Sequence, residues 1–233
     1  MPDIVHYTLE QKVAVIRMDD GKANALSVEM IDGLLAALTR AEEEASAVVL
    51  TGRAGRFCAG FDLRVMMSGP EQAKALLGRG SELLLRLYGA TLPLVIACTG
   101  HALAGGALVV LTGDTRIGAQ GEFKIGLNEV QIGLPVPVLA MEFARSRLTP
   151  AELTRATLLA QIYTPDEAVR AGYLDRVAAT AEDLLAAATA EATRLGAMAR
   201  SAFKATKLRL RGGTIADIKA RMEEDMRTLM NPQ

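Results

Sequence analysis

One carboxylate stands in an apolar setting in the stretch FKIGLNEVQIGLPVP, residues 123 to 137, where Ile125, Leu127, Val130, Ile132 and Leu134 flank Glu129. A solvated loop normally gives a charge polar neighbours, so Glu129 is either an exposed tooth on a strand edge or a base held away from water. An apolar pocket disfavours the charged carboxylate and raises its pKa, leaving a group basic enough to take a proton and acidic enough to return it. Two other stretches offer backbone donors. In FCAGFD, Gly60 permits a sharp turn that leaves the Phe61 N–H free to point into a cleft. In GHALAGGALVV, Gly105 and Gly106 open a helix whose first N–H groups lack internal partners. Converging donors of this kind stabilise a developing oxyanion. Blander readings stand beside these: glycines before helices are common packing devices, and Glu129 also reads as a turn cap or an arginine partner.

The other reactive residue types carry less. His101 lies beside the second glycine stretch, but no Ser/His/Asp arrangement accompanies it, and it reads as a satisfied core histidine. Cys58 has no histidine partner and reads as packing. The two cysteines, Cys58 and Cys98, with His6 and His101, form neither a disulfide framework nor a CxxC or HxxxH metal spacing, and a reducing cytoplasm fits this usage. The glycines around residue 105 lack the GxGxxG dinucleotide spacing, and no GK[ST] follows for nucleotide phosphates.

The elements that must position these groups are legible in outline. Val5 to Leu9 and Val13 to Met18 read as a hairpin. Ser27 is a helix N-cap ahead of Ile31, Leu34, Leu35 and Leu38 at helical spacing, which predicts a helix to about Glu44. Ala47 to Thr51 and Leu94 to Cys98 are buried strands, with the loop TGRAGRFCAG and a helical region from Glu71 to Tyr88 between them. Gly105 to Thr112 and Val138 to Arg147 are helices, and short strands are expected at Thr115 to Gly118, at Phe123 and at Tyr173 to Val177. Thr149 and Thr164 precede proline at helix starts, in LTPAEL and YTPDEA. From Glu182 onward the pattern is alanine-rich and helical, with Gly212 and Gly213 expected to separate the last two helices. These units predict a core over residues 1–190 and a helical region over 191–233.

The chain has 233 residues, enough for a substantial core, and its 26 basic and 27 acidic residues nearly cancel. The summed field therefore gives no general reason to bind nucleic acid, membrane or polyanions. The opening MPDIVHYTLEQ lacks a basic region followed by an apolar run, so no leader is expected. Leu92 to Leu111 is nearly uncharged over about the length of a membrane span, but Pro93, Gly100, Gly105 and Gly106 interrupt it and Asp114 closes it. A buried strand, a turn and a buried helix fit better.

The order and spacing of KANAL, FCAGFDL, GHALAGGALVVLTGD and IGLNEVQIGL resemble the enoyl-CoA hydratase/isomerase (crotonase) superfamily, from the first hairpin through YTPDEAVRAGYLDRV. LRLY, GGALVVLTGDTRI and IGLNEVQIG are most similar to the mitochondrial-type delta3,delta2-enoyl-CoA isomerases. The resemblance implies an α/β fold, a crotonase-like spiral of β-β-α units with a C-terminal helical trimerisation region, and a homotrimer or dimer of trimers. It implies an acyl-CoA thioester substrate, with coenzyme A part of the substrate and no separate cofactor. The N–H groups of Phe61 and Gly105 become the oxyanion hole, and Glu129 the catalytic acid/base. Ala23, Ala25, Leu26, Ala59, Asp62, Leu63 and Arg64 are expected along the substrate path, with Lys207, and also Lys204, at the CoA phosphates. Met66, Leu76, Leu77, Leu83, Leu84 and Leu87 are expected to line or cover an acyl tunnel.

One position departs from part of the family: its hydratases have a second glutamate two residues after the glycine turn, and here that position is Leu108. Adding water across a double bond asks for two acid/base groups, whereas a 1,3-proton shift can use one base twice. An isomerase is the leading expectation. The alternatives are a hydratase or another thioester enzyme of the same fold and, from a different class, a non-catalytic acyl-CoA- or RNA-binding protein using Lys204, Lys207, Arg209 and Arg211.

Overall fold

The computed structural model describes residues 4–230. Met1, Pro2 and Asp3, part of the stretch in which no leader is expected, and the last three residues of the 191–233 region lie outside the described residues. The chain opens with β1 (Val5–Glu10), β2 (Val13–Met18) and α1 (Val28–Glu44), then β3 (Ala47–Thr51), β4 (Gly55–Cys58), α2 (Leu63–Met66) and α3 (Pro70–Tyr88). Next come β5 (Leu94–Cys98), β6 (Gly100–Leu103) and α4 (Gly105–Thr112), followed by β7 (Thr115–Ala119), β8 (Ile125–Gly126) and a single 3₁₀ turn at Val130–Ile132. The remainder is α5 (Val138–Arg147), α6 (Pro150–Thr157), α7 (Pro165–Ala171), β9 (Arg176–Ala178), α8 (Ala181–Gly196) and α9 (Arg200–Met230).

Successive strand pairs divide between two sheets. The larger has the order β1-β2-β3-β5-β7-β9, antiparallel at the β1/β2 hairpin and parallel elsewhere, and the smaller is β4-β6-β8, all parallel. Each of β3/β4, β5/β6 and β7/β8 gives one strand to each sheet, which generates the spiral. The central strands β3 and β5 of the larger sheet are apolar at consecutive positions because both faces are covered. Val48, Leu50, Leu94 and Ile96 face the main core with α1, α3 and α4, while Val49, Val95, Ala97 and Ile117 face α8. Ser27 caps α1 as expected, its hydroxyl accepting the Met30 N–H at 3.2 Å. The run Leu92 to Leu111 resolves into β5, β6 and α4, and no described helix is long and apolar enough to cross a membrane.

Several expectations change. The loop TGRAGRFCAG contains β4, the strand expected at Phe123 lies two residues later as β8, and the last strand begins at Arg176 instead of Tyr173. A boundary at residue 190 would cut α8, which buries Leu184, Ala188 and Ala192 against the sheet and so belongs to the core. The separate helical region begins with α9. That helix runs unbroken through Gly212 and Gly213. Two helical glycines cost about 1 kcal/mol each relative to alanine, and anchors on both sides override them. Before the glycines, Lys207 and Arg211 pair with Asp114 at 2.8 and 2.9 Å; after them, Ile218 is buried and Asp225 accepts the Val138 N–H of α5 at 2.8 Å.

Candidate active site

The segment Ala23 to Leu26 runs beside Ala59 to Asp62 like a short strand pair: Ala59 N–H donates to the Ala23 carbonyl, Leu26 N–H to Gly60, and Asp62 N–H to Leu26. Asn24 locks this arrangement from below. It is fully buried, its φ is 53°, and its amide nitrogen donates to the carbonyls of Met18, Arg56 and Phe57. Sequence reasoning missed it, although a lone Asn between alanines in KANAL is a residue type that tolerates left-handed backbone.

Gly60 takes φ +95°, and a Cβ there would lie 3.0 Å from the Leu103 carbonyl oxygen and 3.3 Å from the Gly105 nitrogen. The turn carrying Phe61 thus abuts the start of α4. At the next position a Cβ on Gly106 would fall 2.0 Å from the Cys58 carbonyl oxygen, so only glycine lets α4 approach β4 this closely. Ala104, with φ 47° and no side-chain cap, precedes the first turn of α4. The N–H groups of Phe61 and Gly105 donate to no acceptor among the described residues. Phe61 and Ala104, the neighbour of Gly105, both line one cavity.

That cavity, of about 180 Å³, is lined by Phe61, Ala104, Leu108, Asn128 and Glu129 among others. Glu129 begins the 3₁₀ turn, where its carbonyl accepts from Ile132 and Leu134 N–H groups. Its side chain is only 7% exposed, which excludes the exposed tooth. Among the described residues no arginine or lysine pairs with it, and its Oε2 is enclosed without a hydrogen-bond partner. Burial raises its pKa from the ordinary value to about 6, opposed only by its own backbone N–H. The surroundings match the sequence picture in part: Ile132 and Leu134 line the cavity with Glu129, although they and Val130 are partly exposed, and the rest of the wall comes largely from residues distant in sequence such as Leu63, Leu77 and Leu108.

A second cavity of about 40 Å³ continues past Phe61, Leu77 and Leu108 and is closed by Met222, Met226 and Leu229 of α9. Of the leucines expected at a tunnel, Leu77, Leu84 and also Met66 line these cavities, whereas Leu76, Leu83 and Leu87 are buried core. Ala59 and Leu63 line the main cavity. Leu26 is buried beneath it, with Ala23 and Ala25 half-buried alongside.

Two expected contacts are corrected. Lys207 is 6% exposed with its ammonium on Asp114, and burial lowers its pKa to about 8, so it is a buried clamp for α9 and not the exposed phosphate contact the basic run suggested. Asp62 caps α2 by accepting the Arg64 N–H at 2.9 Å and pairs with the Arg64 guanidinium, which holds its carboxyl below the usual range; it does not line the cavity. Arg64 itself is exposed, as is Lys204. His101 accepts the Lys124 N–H at 3.0 Å, and the Cys58 thiol is pushed up to about 12 by burial, so neither is poised for chemistry.

A spiral of β-β-α units with free N–H groups and one buried carboxylate around an apolar cavity defines the crotonase-type class of acyl-thioester enzymes. The chain belongs to the enoyl-CoA hydratase/isomerase family, whose model matches residues 8–232. It is 32% identical over 224 residues to human mitochondrial enoyl-CoA delta isomerase 1, covering 94% of this chain and 74% of that protein. The crystal structure of an enoyl-CoA hydratase/isomerase family protein from Pseudomonas syringae superposes with TM-score 0.94 at 40% identity, covering 97% of this chain and 98% of that one. Human mitochondrial delta3-delta2-enoyl-CoA isomerase superposes with TM-score 0.93 at 30% identity over 97% and 90% of the two chains. Proteins named probable enoyl-CoA hydratases also match.

Proposed function

We propose that the protein moves the double bond of a 3-enoyl-CoA to the 2-trans position, with Glu129 as its single acid/base. The observation that carries this reading is that Glu129 is the one carboxylate lining the main cavity among the described residues. Leu108 occupies the position where the family resemblance puts the second glutamate of hydratases. The thioester oxygen would accept from the Phe61 and Gly105 N–H groups, each worth about 3 kcal/mol to an enolate by comparison with other oxyanion holes. Glu129 removes a C2 proton, the electron pair spreads over oxygen, C2 and C4, and the protonated carboxyl returns the proton to C4. Nothing is gained or lost overall. A carboxyl with a pKa of about 6 is a stronger base than an ordinary glutamate and is still mostly ionised near neutral pH.

The CoA moiety would follow the backbone of Ala23, Ala25, Leu26 and Ala59, with Arg64 at the exposed rim for a phosphate. A cytoplasmic homotrimer or dimer of trimers is part of the same proposal. It is supported by the large apolar side chains Leu158, Leu159, Leu208 and Leu210 left on the surface. A monomer in sedimentation at micromolar concentration would contradict the assembly. For the chemistry, Glu129→Gln keeps the shape and deletes the base: acyl-CoA affinity should persist while kcat falls by about three orders of magnitude. An unchanged kcat removes Glu129 from the mechanism.

A further inference from the structure

Phe61 belongs to both cavities. With Leu77, Leu108, Pro137 and Leu229 it lines the main one beside Glu129 and the smaller one beneath α9, so the two adjoin at this residue. Its ring is held edge to edge between two helices. A Cβ on Gly80 of α3 would lie 2.1 Å from Phe61 Cε1 and 2.5 Å from Cζ, and a Cβ on Gly105 of α4 would lie 3.1 Å from Cδ2 and Cε2. Carbon atoms pack at about 3.5–4.0 Å, so a side chain at residue 80 would occupy the place of the ring. Gly80 is buried in the interior of α3, where glycine is a poor helix former. Two residues earlier, Gly78 has nothing within 4 Å of the place its Cβ would take. One helix thus carries a glycine that the ring needs and another that it does not touch. The backbone under the ring is held independently: the Gly60 carbonyl accepts the Leu26 N–H at 2.8 Å, and the Asp62 N–H donates to the Leu26 carbonyl at 3.3 Å. Peptide planes are rigid, so these bonds and not the ring aim the Phe61 N–H. At the far edge, α4 and the fully buried Leu26 block the ring. Its open direction is into the cavities.

We infer that Gly80 is a specificity-determining residue: by seating the Phe61 ring against α3 it sets how much of the smaller cavity is open to the far end of an acyl chain. The inference rests on the reading that an acyl thioester fills the main cavity with its carbonyl at the Phe61 N–H. The thioester and the carbons beside Glu129 take up the main cavity. Carbons beyond them pass the edge of the Phe61 ring into about 40 Å³ beneath Met222 and Met226, room for about one or two water-sized groups. The ligands that fit are short-chain acyl thioesters. Each methylene buried past the ring contributes about fourfold in affinity.

Calorimetric binding of the saturated thioesters butanoyl-, hexanoyl- and octanoyl-CoA tests this without any turnover. In Gly80→Ala the preference for hexanoyl- over butanoyl-CoA should fall by about tenfold, the contribution of two methylenes, because the displaced ring fills their space. Phe61→Leu added to Gly80→Ala should bring the preference back to within about threefold of the unmodified protein, since the smaller side chain vacates the seat. Phe61→Leu alone should raise octanoyl-CoA affinity relative to butanoyl-CoA by about fourfold. Gly78→Ala, with the same gain in helix propensity and no ring to meet, should leave the ratios unchanged. A folded Gly80→Ala protein with an unaltered preference overturns the inference, as does a loss that Phe61→Leu fails to relieve. If Gly80→Ala does not fold, the double variant must; a double variant equally unfolded makes Gly80 a packing residue only. Failure of the unmodified protein to bind any of the three thioesters removes the acyl reading and this inference together. Binding with the expected ratios but without isomerisation of 3-hexenoyl-CoA counts against the reaction alone and leaves Gly80 its role.

Discussion

The base that the chemistry needs should be a burden on the fold, and the size of the burden follows from its burial. Burial raises the Glu129 carboxyl from its ordinary 4.5 to about 6 in the folded protein. A raised folded pKa means that the native state binds the proton more tightly than the unfolded chain does. The stabilising contribution of the protonated carboxyl is therefore full below about pH 4.5 and is lost as pH rises through about 6. Above pH 7 the ionised carboxylate costs about 2 kcal/mol relative to its neutral form, and at pH 5 under about 1 kcal/mol. Glu129→Gln removes this titration. Its stability relative to the unmodified protein should improve by about 1 kcal/mol between pH 5 and pH 8.5, a relative gain in Tm of roughly 2–4 °C for a chain of this size. Paired thermal melts across that range measure it. A relative stability of the variant that stays constant with pH, or that falls as pH rises, would show that the Glu129 pKa is not raised and would refute the argument from desolvation.

Other consequences are open to direct measurement. Leu108→Glu supplies a second carboxylate to the main cavity. A small crotonyl-CoA hydration rate should appear and 3-hexenoyl-CoA isomerisation should fall, since two nearby carboxylates oppose each other's ionisation. A folded variant with both rates unmoved would detach Leu108 from the reaction. Asp114→Asn leaves Lys207 and Arg211, at 5% and 4% side-chain exposure, without their counter-charge, and should destabilise by about 3–5 kcal/mol; a chemical-denaturation shift below 1 kcal/mol would contradict this. Asp225→Ala removes the cap that α9 places on α5, worth about 1 kcal/mol. By loosening Met222, Met226 and Leu229 over the smaller cavity it should raise kcat/KM for long acyl chains relative to hexenoyl-CoA, and an unchanged chain-length profile would refute that role.

What the sequence revealed, it revealed through local physics. Ser27 and the spacing of Ile31, Leu34 and Leu38 define α1 almost to the residue, and the uninterrupted apolar runs of β3 and β5 follow from a sheet buried on both faces. Glu129 stood out because a charge amid apolar residues is costly, and Gly60 and Gly105 because free N–H groups need glycine nearby. The smaller sheet was invisible: β4, β6 and β8 have four, four and two residues, and their pairing is set by contacts far apart in sequence. Lys207 was misplaced because a basic run on a helix reads as solvated until Asp114, distant in sequence, is seen beneath it. Asn24 escaped for the same reason, since its partners, the carbonyls of Met18, Arg56 and Phe57, come from β2 and β4.

The central claim is that a single buried carboxylate beside two backbone donors isomerises a 3-enoyl-CoA and does not hydrate its conjugated product. It is tested most directly by giving the protein 3-hexenoyl-CoA and crotonyl-CoA separately and following the conjugated thioester absorbance. A rise with the first substrate and no loss with the second is the expected result. Loss of crotonyl-CoA absorbance at a comparable rate, with no rise from 3-hexenoyl-CoA, would contradict the account and identify the chain as a hydratase working without a carboxylate at Leu108.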